Sequence, residues 1–211
     1  MHYNYIVIEG NIGSGKTSLA TMIARNLNAK LILERFEDNS FLPKFYKNPE
    51  QYAFPLEMSF LSDRYQQLKD ELTNQDLFKN FTVADYFIDK SLIFARNNLQ
   101  NEEFALYSKL FDIINLMLPK PQLIVYLYNS TENLLKNIRL RGRSYEQNIT
   151  ASYLDHLQHG YINYFHQKKD MRVLIIDTQT IDFVRRDDDY KKVIEVIQDH
   201  YHPGVHRIRL D

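Results

Sequence analysis

The chain contains no cysteine. That excludes a disulfide framework, a thiolate zinc site and a cysteine nucleophile, and it suits a reducing compartment, so the expected location is cytoplasmic. Net charge is nearly absent as well, with 26 Lys plus Arg against 27 Asp plus Glu. Such a balance gives no general attraction to nucleic acid or to an anionic membrane surface, so any anion site must be local, and neither partner is expected. Long apolar runs are also missing. Stretches such as Ile113-Ile114-Asn115-Leu116-Met117-Leu118 are short and polar-flanked, well under the roughly 18 apolar residues of a membrane helix. The start, Met1 to Ile8, enters a short apolar run without the basic opening and long apolar stretch of a signal peptide, so a soluble protein is expected. No internal repeat, low-complexity tract or Gly/Ser linker interrupts the sequence. With 211 residues, 44% of them hydrophobic, one well-buried domain spanning residues 1–211 is expected.

What is present is an alternation of short apolar runs and longer helical patterns. Tyr5 to Glu9, Leu31 to Leu33, Phe81 to Ala84, Leu123 to Leu127 and Val173 to Ile176 read as buried strands. Residues 16–27, 56–73, 102–118, 131–141, 150–167 and 187–200 carry helical patterns. Buried strands alternating with helices predict an α/β fold: a five-stranded parallel sheet with helices on both faces. The tail from His202 to Asp211 has no role that its residues indicate.

Gly10-Asn11-Ile12-Gly13-Ser14-Gly15-Lys16-Thr17 fits G-x-x-x-x-G-K-[ST] and lies between a predicted strand and a predicted helix, the context that the P-loop requires. Glycines let backbone N–H groups and the positive helix end face phosphate oxygens. Lys16 is then expected on the β and γ phosphates and the Thr17 hydroxyl on magnesium, with Ser18 closing the ATP-binding set. A P-loop alone does not separate kinase from GTPase. No N-K-x-D guanine signature follows any predicted strand, which argues against a GTPase.

Other residues point toward transfer to a hydroxyl acceptor. Glu34 follows the second apolar run, placing a carboxylate at a strand's carboxyl end, where parallel sheets form their ligand crevice. There it can orient an acceptor hydroxyl and take its proton as general base. Asp85 follows the third run and is expected to hold magnesium; Asp89 is the competing candidate. In Arg139-Leu140-Arg141-Gly142-Arg143, a continuous helix would scatter the charges around its axis, whereas a break would gather them into a lid that neutralises a transferring phosphoryl group.

Together these features resemble the deoxynucleoside kinase family, the group that includes deoxycytidine, deoxyguanosine, deoxyadenosine and mitochondrial thymidine kinases. The likeness runs from the P-loop through Glu34, Tyr46-Lys47-Asn48-Pro49 and Phe54-Pro55-Leu56-Glu57 to the lid Arg139 to Glu146, followed by Tyr153-Leu154. The resemblance implies ATP-dependent phosphorylation of a deoxyribonucleoside 5′-hydroxyl, with Mg2+, in a homodimer packed through long helices such as 56–73 and 102–118. It implies Glu34 as catalytic base, with Tyr46 and Glu146 on the deoxyribose 3′-hydroxyl. Arg139, Arg141 and Arg143 would meet the ATP phosphates, with Ser144 closing over the donor, and Asp182-Phe183 resembles a segment near the donor adenine.

Two departures mark this sequence. Where the family has an acid followed by Arg-Ser after the third strand, the chain offers Asp85-Tyr86-Phe87 and then Asp89-Lys90-Ser91; the arginine is missing, so Lys90 is the candidate for a positive charge near the reacting hydroxyl, without a guanidinium's bidentate reach. Where the family has a base-pairing glutamine, the chain has Glu57. An ionised carboxylate only accepts hydrogen bonds, which suits the N1–H and N2 amino donors of guanine. Arg64 is expected either to pair with Glu57 or to read a base acceptor such as O6. The resulting expectation is a purine, with deoxyguanosine favoured. Two rivals remain open: another small-acceptor P-loop kinase, such as a nucleoside monophosphate kinase, and a regulatory module that binds ATP without transferring phosphate.

Overall fold

The computed structural model describes residues 1–35, 39–74 and 76–210. The chain opens with β1 (Tyr5–Gly10), α1 (Lys16–Leu27) and β2 (Lys30–Ile32), followed by α2 (Leu42–Lys47), α3 (Pro49–Thr73) and β3 (Thr82–Ala84). Then come α4 (Lys90–Asn98), α5 (Asn101–Asn115), β4 (Leu123–Tyr128), α6 (Thr131–Arg141), a 3-10 turn (Ser144–Glu146) and α7 (Ala151–Gln167). β5 (Arg172–Asp177), α8 (Asp187–Gln198) and β6 (Gly204–Arg209) complete the order.

The strands form one sheet in the order β2-β3-β1-β4-β5-β6, and every adjacent pair is parallel. Period-two alternation sends side chains to opposite faces. Ile6 and Ile8 of β1, Leu123, Val125 and Leu127 of β4 and Leu174 and Ile176 of β5 pack with Leu19, Ile23, Val193 and Ile197, under α1 and α8. Their neighbours Val7, Ile124, Tyr126, Val173 and Ile175 face the other way. They join Leu61, Leu68, Tyr107, Tyr161 and Phe165 from α3, α5 and α7. Burial on both faces explains why these strands read as continuous apolar runs.

Three sequence expectations are corrected. The sheet has six strands rather than five, because Gly204–Arg209, in the tail left without a role, pairs with β5. As an edge strand rich in His206, Arg207 and Arg209, it lacks the apolar signal of the central strands. Asp211 lies outside the described residues. The helix expected over 56–73 begins at Pro49: proline at the first helical position gives up an N–H that has no partner there anyway, and Pro55 sits inside without ending the helix. The helix expected over 102–118 stops at Asn115, and the sequence reading passed over α2 and α4.

Leu19 is fully buried between α1 and the sheet. Leu19→Ala is expected to lower unfolding free energy by about 2–5 kcal/mol, the usual cost of a large-to-small core change. Urea titration should show an earlier midpoint at an unchanged slope.

Candidate active site

β1 ends at the sheet's carboxyl edge, and the next residues wrap into the P-loop. Gly13 and Gly15 have φ of 82° and 88°, a left-handed conformation that disfavours side chains. Space argues the same way: a Cβ at Gly13 would lie 2.8 Å from the Leu134 carbonyl oxygen, and one at Gly15 would lie 3.0 Å from Phe183 Cζ. The loop is thus wedged between α6 and the segment after β5. Asn137 also donates to the Gly13 carbonyl at 2.9 Å, and buried Asn11 donates to the Leu154 carbonyl at 2.8 Å. A loop pinned this way holds its N–H groups ready for an anion. Lys16 is pushed down to about 8, by burial first and then by Lys90. An anion beside it would restore its charge.

Two cavities meet at this edge. The larger, about 1100 Å³, runs from the P-loop past Asp85 to Asp182, Phe183 and Arg185. The smaller lies toward α2, α3 and α4, lined by Tyr46, Glu57, Arg64 and Glu146 among others. Lys16, Thr17, Glu34, Asp85, Arg141 and Arg143 line both.

Glu34 stands at this junction with its side chain 8% exposed. It accepts from Arg64 Nε at 2.7 Å and from Lys90 Nζ at 2.6 Å. Burial opposes its ionisation, but Lys90 and Arg64 outweigh that and hold the carboxyl at about 2. This corrects the expected pairing of Arg64 with Glu57. Its guanidinium serves Glu34, donates to Ser91 at 2.8 Å and lies 4.6 Å over the Phe60 ring, rather than forming an ion pair with Glu57. Lys90, read as a charge near a reacting hydroxyl, is bound to the carboxylate at the same junction.

The two aspartates separate cleanly. Asp85 accepts from the Thr17 hydroxyl at 2.6 Å and from the Glu34 N–H at 2.8 Å, whereas Asp89 accepts from Tyr164 on α7. Thr17 and Asp85 therefore present two hard oxygens at the foot of the cradle, a donor set that suits Mg2+. Among the described residues no group of three or more His, Cys, Asp or Glu side chains is placed to hold a metal, so phosphate oxygens and water would have to complete the shell.

The lid forms because α6 breaks at Gly142, whose φ is 73°. Arg141 and Arg143 then converge on Glu146, which is buried and accepts from both. Tyr46 stacks on Tyr145, with centroids 6.2 Å apart. Arg139 is exposed on the helix and, like Ser144, lines neither cavity.

Glu57 is 1% exposed, accepts from Asn98 Nδ2 at 2.6 Å and is raised to about 7, mainly by burial and against the pull of Arg64. The sequence reading missed Asn98, because an asparagine at a helix end carries no distinctive signal. It also missed Glu9, a carboxylate in an apolar strand. Glu9 is wholly buried, accepts from Tyr161 at 3.0 Å and is raised by burial.

Fold and site define a P-loop α/β protein whose phosphate cradle opens onto a second, carboxylate-bearing pocket. The family model described as "Deoxynucleoside kinase" matches residues 6–202, and the chain belongs to that family. It is 38% identical over 195 residues to the deoxyguanosine kinase of Bacillus subtilis (strain 168), covering 90% of this chain and 93% of that one. It is 32% identical over 210 residues to the deoxyguanosine kinase of Lactobacillus acidophilus, covering 92% and 89%. Among solved structures, the deoxyadenosine kinase from M. mycoides with bound dATP matches with a TM-score of 0.78 at 22% identity, covering 92% of this chain and 99% of that chain. At that identity the likeness supports the fold.

The raised value of Glu57 means that folding favours its neutral acid. The stability this proton contributes is full below the ordinary carboxylate value of 4.5 and is lost as pH rises through about 7. Glu57→Gln removes the titration. Calorimetry should therefore show the variant's melting temperature gaining on the parent's between about pH 5 and pH 8; a constant difference would contradict the assignment.

Proposed function

We propose that the chain transfers the γ-phosphoryl group of ATP to the 5′-hydroxyl of a purine deoxyribonucleoside, with deoxyguanosine favoured, as a cytoplasmic single-domain salvage kinase. The observation that carries this reading is the shared wall: Glu34, Lys16, Asp85, Arg141 and Arg143 line both cavities, so a donor in one meets an acceptor in the other. Family membership and the similarity to the deoxyguanosine kinases of Bacillus subtilis and Lactobacillus acidophilus support the same reading.

In this reading the P-loop N–H groups and Lys16 bind the donor phosphates. Thr17 and Asp85 would hold Mg2+, which supplies charge neutralisation on the phosphate oxygens when bound. Glu34 accepts a hydrogen bond from the 5′-hydroxyl. At about 2 it is a weak base, so it mainly orients the hydroxyl and takes the proton late, as the new P–O bond forms. Arg141 and Arg143 turn from Glu146 toward the transferring group, leaving Glu146 and Tyr46 to hold the 3′-hydroxyl. Glu57 accepts from the guanine edge, while Arg64 acts through Glu34.

An acceptor already carrying phosphate fits less well. Glu34 would repel it, and Arg64 and Lys90 are committed to Glu34. A binding module without transfer would hold ATP but show no response to nucleosides.

ADP release with Mg-ATP should rise on adding deoxyguanosine, more than with deoxyadenosine, deoxycytidine or thymidine. Glu34→Gln should lower kcat by about 10²–10⁴ while ATP binding persists. Release that ignores every nucleoside would refute the kinase reading.

We propose that the chain forms a homodimer through α5 and its end, where Leu106, Leu110, Ile113 and Met117 lie three to four residues apart with exposures of 52%, 36%, 63% and 63%. The parent should sediment as a dimer and Ile113→Glu as a monomer; a monomeric parent would refute the dimer, and a dimeric variant would refute this contact.

A further inference from the structure

Glu57 presents its two oxygens unequally. Oε1 accepts from Asn98 Nδ2 at 2.6 Å, while buried Oε2 has no partner among the described residues. Asn98 closes α4, and its carboxamide is held at both ends: Oδ1 accepts from Asn97 Nδ2 at 3.0 Å, leaving only N–H to turn toward Glu57. An amide fixed this way makes Oε1 a permanent acceptor, so any proton that Glu57 takes must sit on Oε2. Ionised Glu57 then presents two acceptors, the complement of guanine N1–H and N2 amino donors. Neutral Glu57 presents an acceptor and an O–H donor, the complement of the adenine N6 amino group and N1.

We infer that Asn98 is a positioning residue for base selection: its N–H favours the two-acceptor form of Glu57 that reads guanine, and loss of that donor moves the pocket toward adenine. The inference rests on the reading of the smaller cavity as a nucleoside pocket.

The other groups around Glu57 leave the balance close. Arg64 from α3 and Lys90 from α4 favour the carboxylate, and Glu34 after β2 opposes it. Tyr107 from α5 and Tyr153 from α7 are the facing hydroxyls, and Tyr153 also meets the Asn98 amide. Burial outweighs the cations and places Glu57 near 7, where the hydrogen bond from Asn98 decides which form prevails.

The test compares the parent, Asn98→Ala and Asn98→Ser. It measures kcat/KM for deoxyguanosine and deoxyadenosine with Mg-ATP between about pH 6 and pH 9. The parent's deoxyguanosine-to-deoxyadenosine ratio should rise with pH through about 7. In Asn98→Ala the ratio near pH 7 should fall about tenfold, through the deoxyguanosine KM, with its midpoint moved to higher pH. Serine, which can still donate, should restore most of it. A ratio unchanged in Asn98→Ala, or an equal fall for both nucleosides, overturns the inference while leaving the kinase reading intact. Failure of the parent to phosphorylate either nucleoside overturns both.

Discussion

Everything at the reaction edge of this protein is organised by one buried carboxylate. Glu34 leaves water where β2 ends, and a desolvated charge is costly unless it is paired and hydrogen-bonded. Arg64 supplies one partner from α3 and Lys90 another from α4, at 2.7 and 2.6 Å. The Glu34 N–H is tied to Asp85, and Asp85 to Thr17, which carries the connection into the phosphate cradle. Four elements from distant parts of the sequence thus converge on one group.

This arrangement resolves an apparent conflict in the role proposed for Glu34. Two cations that stabilise a carboxylate also make it a poor base, and a value of about 2 would handicap an enzyme that had to remove a proton before attack. Phosphoryl transfer passes through a loose transition state in which the acceptor stays largely protonated until bond formation is advanced. A weak, rigidly held acceptor suits that chemistry, because orientation matters more than basicity.

The central architecture was legible in the sequence because the signals there are local. β1, the P-loop and α1 are contiguous, and strands buried on both faces show as apolar runs whatever lies across from them. β6 was illegible for the converse reason: its pairing depends on β5 having an open edge, and His206, Arg207 and Arg209 are tolerated only because the outer side remains exposed. Individual site residues followed the same division. Glu34 and Asp85 could be placed from strand ends, and the break at Gly142 from composition. The partner of Arg64 could not, since Glu57 lies one helical face away in sequence while Glu34 reaches it only through the fold. Asn98 was invisible because its contact with Glu57 exists only in the fold.

Two carboxylates of the smaller pocket, Glu34 and Glu57, show how environment rather than residue type divides labour. Glu34 and Glu57 are both buried and both feel Arg64 and Lys90, yet one is held near 2 and the other near 7. The difference is contact: Glu34 takes direct hydrogen bonds from both cations, whereas Glu57 has one neutral amide donor and feels the charges from farther away. Direct ion pairs fix Glu34 in one state, so it can orient a hydroxyl reproducibly. The weaker hold on Glu57 leaves it near the balance point, where a hydrogen bond from a base or a neighbour is enough to decide its form. A chain with almost no net charge can therefore build a site of high local charge and hold two carboxyls in it in different states, one fixed by direct ion pairs and one near its balance point.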